Sequence, residues 1–191
     1  MRMSFIGDSY DIVKFSFLRW LGSFGKWSVH PMFTECVSID DVNAFERLLG
    51  AKIISTEVLK PETDRIAYFE CALLCNHLFL DPDTGLRMRS TRGKRGPLFV
   101  FASDLIRLSM RRPDSLTLVF DQSLSRGLER EVSLSAKLDE LRRDGVFGFA
   151  YVSHACFILT SQNRSLLVQA REDFIKKSGL PEKRFLDVPS A

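Results

Sequence analysis

The sequence predicts a single α/β domain, with helices on both faces of a mostly parallel sheet, on three observations. Apolar runs of strand length alternate with stretches of helical periodicity almost throughout. Two of those runs, His77-Leu78-Phe79-Leu80 and Leu116-Thr117-Leu118-Val119-Phe120, are apolar on both faces, as strands covered by helices on each side must be. Each ends in an aspartate, Asp81 and Asp121.

The elements follow in order. Asp8 or Ser9 caps a first helix whose apolar face is Tyr10, Val13, Phe17, Leu21 and Phe24, with Gly22 and Gly25 ending it. A strand at Trp27–His30 stops at Pro31. A helix near Asp41–Leu49 closes at Gly50, and a strand covers Lys52–Ser55. Glu57–Thr63 reads as loop and Arg65–Cys75 as helix leading into the His77 strand. Thr84–Gly96 is polar and basic, which predicts a long loop. Helices are expected at Ala102–Arg111, Leu128–Asp144 and Arg164–Lys177. Phe147–Thr160 is either one long strand or a hairpin, which leaves room for an antiparallel C-terminal strand. No linker, repeat or low-complexity segment divides residues 1–191, so one domain is expected.

Composition bounds the class. The 191 residues are 45% hydrophobic and 27% charged, which excludes wholesale disorder. No apolar run approaches the roughly 18–20 residues that span a bilayer. Met1–Phe5 lacks the layout of a signal peptide, so a cytoplasmic protein without membrane contact is expected. Cys36, Cys71, Cys75 and Cys156 lack convincing ligand spacing and are expected to be buried, reduced thiols. Net charge is only +3, but Arg87, Arg89, Arg92, Lys94 and Arg95 fall within nine residues, a candidate phosphate-binding loop.

In parallel sheets ligands bind beyond the carboxyl ends of the strands. His30, Asp81 with Asp83, and Asp121 should therefore gather on one edge. Leu80-Asp81-Pro82-Asp83-Thr84-Gly85-Leu86 sets two carboxylates one residue apart, a repulsion that Mg²⁺ or Mn²⁺ would offset. The same residues are also good turn chemistry. In Gly7-Asp8-Ser9-Tyr10-Asp11-Ile12-Val13-Lys14, Asp8 and Asp11 are further candidate metal ligands. Asp8 could instead be a cap, and Asp11 with Lys14 an ion pair on one helix face. His154 is a candidate proton shuttle, and Ser123 caps a helix or joins Asp121.

These motifs resemble an uncharacterised bacterial family with Gly-Asp-x-x-Asp-x-x-Lys and Asp-Pro-Asp-(Thr/Asn)-Gly-Leu motifs. More distantly they are similar to methyltransferase-like Rossmann proteins, the three-Cys-motif partner and rRNA adenine methyltransferase types. That resemblance implies a three-layer Rossmann-like fold, Asp81 and Pro82 facing a target base, and S-adenosylmethionine flanked by Asp8 to Lys14. The glycine-rich loop that would cradle the cofactor after Trp27–His30 is replaced by His30-Pro31-Met32-Phe33-Thr34. Asp81-Pro82-Asp83-Thr84 also resembles the first motif of haloacid dehalogenase-type phosphatases.

The leading expectation is a metal-dependent phosphoesterase or nuclease acting on nucleic acid or nucleotides. Asp81, Asp83, Asp121, Lys14 and His154 would carry its chemistry. A methyltransferase-like protein comes next. A non-catalytic module that binds nucleic acid or a partner through the basic loop is the third. Oligomeric state is left open.

Overall fold

A computed structural model describes residues 6–89, 95–124, 127 and 129–186. Its strands are β1 (Trp27–His30), β2 (Lys52–Ile53), β3 (His77–Leu80), β4 (Gly85–Arg87), β5 (Phe99–Phe101), β6 (Thr117–Phe120), β7 (Phe147–Tyr151), β8 (Phe157–Ser161) and β9 (Phe185–Leu186). Its α-helices are α1 (Ser9–Trp20), α2 (Ile39–Leu49), α3 (Arg65–Tyr68), α4 (Ala102–Arg111), α5 (Arg130–Arg143) and α6 (Arg164–Ser178).

Seven strands form the central sheet in the order β2-β1-β3-β6-β8-β7-β9, and β4 and β5 form a separate parallel pair. The first four run parallel, with His30 beside Leu80 and Leu80 beside Val119. β7 and β8 make an antiparallel hairpin, and β8 pairs with β6 antiparallel. The Phe147–Thr160 stretch thus resolves into a hairpin, giving the antiparallel C-terminal strand that the pattern allowed.

Side chains alternate across the buried strands and feed two cores. On one face Val29, Phe79 and Leu118 pack with Phe17, Phe45 and Phe174 of α1, α2 and α6. On the other, Leu78, Leu80 and Val119 pack with Leu105 of α4 and Leu134, Leu138 and Leu141 of α5. The result is a three-layer, Rossmann-like α/β domain. Each such buried side chain contributes roughly 1.5–3 kcal/mol from removal of apolar surface. Many of the 16 phenylalanines are core filler of this kind; Phe17 stacks on Phe157 with centroids 4.1 Å apart.

Several local expectations are corrected. The expected helix over Arg65–Cys75 is a single α-turn, α3, followed by a 3-10 segment at Glu70–Leu74. The expected loop Thr84–Gly96 begins with β4, and its remainder overlaps residues 90–94, which lie outside the described ones. Cys36 is exposed and Cys71 and Cys75 are half-buried; only Cys156 is buried, and all four are free thiols. No helix among the described residues is long and apolar enough to cross a membrane.

Candidate functional site

The parallel strands do bring His30, Asp81 and Asp121 to one edge, where Asp81 N–H donates to His30 O at 3.1 Å. The 152–156 turn of the β7–β8 hairpin joins them, because Phe157 is the register partner of Phe120. What each group does there follows from its partners.

Asp81 is buried at the end of β3, and its Oδ2 accepts from Lys14 Nζ at 2.9 Å. The same ammonium lies 2.9 Å from Asp11 Oδ1 and 4.8 Å from the Phe120 ring centroid. Asp11 Oδ2 accepts the Gly7 N–H, and Asp8 Oδ1 caps α1 by accepting from Tyr10 and Asp11 N–H. The Gly7–Lys14 motif is therefore a helix start that delivers a lysine to the sheet edge. Burial alone would lower the Lys14 pKa, but the charges of Asp81 and Asp11 more than reverse this and hold it above the usual lysine value. The positive charge that offsets these carboxylates is an ammonium.

Asp121, fully buried at the end of β6, is a second lock. Its Oδ1 accepts from Leu86 N–H at 3.0 Å and Ser123 N–H at 3.0 Å, with Ser123 Oγ at 2.6 Å. Its Oδ2 pairs with Lys137 Nζ at 2.6 Å. The Thr84-Gly85-Leu86 segment lies directly on Asp121, and Gln122 N–H donates to Thr84 O at 2.8 Å. Gly85 is required there. Its φ is +136°, and an added Cβ would stand 2.1 Å from Asp121 Oδ1.

The remaining candidates are placed apart from this. Asp83 Oδ2 accepts from Thr34 Oγ1 at 2.7 Å, tying the β3 turn to the segment after β1. Asp8, Asp11, Asp81 and Asp83 do not form one ligand set. Among the described residues no group of three or more His, Cys, Asp or Glu could hold a metal ion. His154 is exposed, and the contacts that lead from it to Lys14 run through the rings of Tyr10 (5.7 Å) and Phe120 (5.6 Å from Tyr10). Its backbone O accepts from Gln122 Nε2 at 2.9 Å, which ties the hairpin turn to the end of β6.

His30 is fully buried between the rings of Tyr68 and Phe69, 4.8 and 5.1 Å away. Its Nδ1 accepts the Met32 N–H at 3.4 Å, and its Nε2 lies 3.5 Å from Tyr68 O. Burial pushes its pKa down to about 4, and Arg65 acts in the same direction, so it is neutral near pH 7. The next residue but one, Met32, has φ +52°, and both Met32 and Phe33 are wholly buried. Where a glycine-rich loop would cradle S-adenosylmethionine, residues 31–38 contain no glycine, and Met32 and Phe33 belong to the two cores. These residues do not fit that cofactor.

Open space lies beside the buried carboxylates. A cleft of about 860 Å³ is bordered by Arg87 of β4, Arg95, Phe99 of β5, Ser123, and Lys137 and Glu140 of α5. The Arg87 guanidinium lies 5.0 Å over the Phe99 ring. Arg89 is exposed at the end of the described segment, and Arg92 and Lys94 lie outside the described residues. A second cleft, of about 700 Å³, is bordered by Lys60, Arg65, Arg107, Phe101 and Ser103. Arg65 lies 4.3 Å over the Phe101 ring and is held by Asp104 Oδ2, with its Nε at 2.9 Å.

Sequence reasoning missed Lys137 and the Arg65–Asp104 pair. A signal existed for the first: Lys137 sits three residues after Leu134 and four before Leu141, on the apolar stripe of its helix. A lysine there needs a buried anion, and Asp121 was the strand-end candidate.

Fold and site together define a Rossmann-like α/β domain whose sheet edge is cross-linked by buried lysine–aspartate pairs and flanked by arginine-bearing clefts. No family model matches the chain, and no curated protein or solved structure matches it either.

Proposed function

We propose that this domain is a phosphate-recognising module that binds nucleotides or nucleic acid through the cleft between β4, the end of β6 and α5, and that its strand-end aspartates are structural. The observation that carries the reading is a contrast at one edge of the sheet. Asp81 and Asp121 are buried and each is neutralised by a lysine, while Arg87 and Arg95 line the open cleft alongside. A carboxylate already bonded to an ammonium is a poor metal ligand or general base, because releasing it leaves a buried charge unpaired. Arginines bordering a concave, partly apolar cleft suit a phosphate group, which they can grip bidentately.

The test is a binding titration with fluorescently labelled adenosine nucleotides and a labelled dinucleotide at matched salt. Arg87→Ala with Arg95→Ala should weaken affinity at least tenfold, or about 1.4 kcal/mol. Asp81→Asn, assayed where it is folded, should bind nearly as wild type does. Failure of the wild-type protein to bind any of these ligands defeats the reading. Mn²⁺-dependent cleavage of a labelled oligonucleotide that disappears in Asp81→Asn would return the chemistry to Asp81, as a metal-dependent phosphoesterase requires.

A further inference from the structure

The second cleft does not belong to the buried aspartate locks, yet it adjoins the first. Arg95 borders one cleft, and the next residues, Gly96 and Pro97, border the other. β5 runs between them, with Phe99 on the first cleft and Phe101 on the second. Each of these rings carries an arginine over it, Arg87 on Phe99 and Arg65 on Phe101. The same aromatic–guanidinium unit is thus repeated once in each cleft.

The cations divide into two kinds. Lys137 and Arg65 already have carboxylate partners in Asp121 and Asp104, so they shape the walls. Arg87 and Arg95 on one side, and Lys60 and Arg107 on the other, remain to meet phosphate. Arg107 is positioned by a 2.9 Å bond from its guanidinium to Arg65 O. Asp64, the remaining acid of the second cleft, is turned to α3, whose Ile66 N–H it accepts at 2.9 Å. A mononucleotide needs one such cleft, since pockets for small ligands run to roughly 300–1,000 Å³.

From this we infer that the ligand is a single-stranded nucleic acid several nucleotides long, laid across both clefts with β5 beneath it; the inference rests on the phosphate-binding reading above. Unpaired bases stack on aromatic and guanidinium planes in a sequence-tolerant way, and the cations follow the backbone. A duplex keeps its bases sealed in the helical stack and would meet these clefts with its backbone alone.

The experiment is fluorescence anisotropy with labelled oligothymidylates of two, four, eight and twelve nucleotides, and a duplex of twelve base pairs, over a range of salt. Affinity should rise at least tenfold from the dinucleotide to the octanucleotide, and the single strand should bind more tightly than the duplex. Lys60→Ala with Arg107→Gln should remove the length gain and leave dinucleotide affinity unchanged. It should also flatten the salt slope for the octanucleotide by about 1.4, the value for two lost single-strand phosphate contacts. Lys60→Ala alone, at an exposed side chain, should give about half that change and guards against misfolding of the double variant. Length-independent binding that still depends on Arg87 and Arg95 overturns the two-cleft inference and leaves the one-cleft reading standing. Tighter binding of the duplex also overturns it, and no binding at any length overturns both.

Discussion

At Gly85 one added methyl group would collide with the Asp121 lock. It would stand 2.1 Å from the carboxylate oxygen and 2.9 Å from the backbone at Asp121 and Gln122, on a backbone at φ +136°. Gly85→Ala is therefore expected to cost about 3 kcal/mol or more in urea denaturation; a loss under about 1 kcal/mol would mean that the Asp121 turn is not tightly held. His30 carries the second prediction at this scale. Its folded-state pKa of about 4 lies below the usual histidine value, so the folded protein binds fewer protons than the unfolded chain between those pH values. The stability its neutral form supplies is complete above about pH 6.5 and is lost as pH falls toward 4. His77 is shifted in the same direction by its burial, so the comparison must isolate His30. Between pH 7 and pH 5 the wild-type protein should lose about 2 kcal/mol more than His30→Gln; equal losses would show that His30 is not held neutral. The sequence pointed to His30, Asp81 and Asp121 as strand-end residues, because a two-faced apolar run must stop at the edge where polar side chains resume. It could not show Lys14 as the partner of Asp81, 67 residues away, whereas for Asp121 the place of Lys137 on the apolar stripe of α5 was a signal.

At the scale of elements, Lys14 makes α1 a clamp on the β3 edge. Breaking one partner of a buried pair leaves the other charge stranded, a cost of about 3–5 kcal/mol, whereas replacing both with apolar groups costs far less. Lys14→Met should accordingly be strongly destabilising, and Lys14→Met with Asp81→Leu should be less so than the sum of the single changes. A double-mutant cycle should return a coupling of at least about 1 kcal/mol, and a value near zero would separate α1 from the sheet edge. Long elements were legible: the helical periodicity of Ala102–Arg111 and Arg164–Lys177 and the buried runs of β3 and β6 correspond closely to what forms. The short ones were not. β4, β5 and β9 are two or three residues long, which is too few for a period to register, and β4 begins inside the turn chemistry of Asp-Pro-Asp-Thr-Gly. The turn and the strand use the same residues. Gly85 serves both, starting β4 while lying against Asp121.

Across the whole molecule, the parallel sheet places its strand ends together as the general rule for such folds requires, yet after β1 the chain turns Met32 and Phe33 into the cores. The two larger clefts adjoin the β4–β5 pair, one of them also bordered by the end of β6. This arrangement was only half legible. The run of basic residues from Arg87 to Arg95 contributes Arg87 and Arg95 to the first cleft, while Lys60, Arg65 and Arg107 reach the second cleft from elsewhere in the chain. Salt should reveal the composition of the interface, because each phosphate contact to a single strand adds about 0.7 to the slope of log affinity against log salt.

Either the arginines of the clefts or the aspartates of the strand ends carry ligand binding in this domain. The most direct measurement is the affinity of a labelled oligothymidylate octamer for the wild-type protein, Arg87→Ala with Arg95→Ala, and Asp81→Asn, each confirmed folded by circular dichroism. The arginine variant is expected to lose at least tenfold in affinity, and Asp81→Asn to bind nearly as the wild type does. Unchanged binding in the arginine variant, together with loss of binding in folded Asp81→Asn, would contradict both expectations.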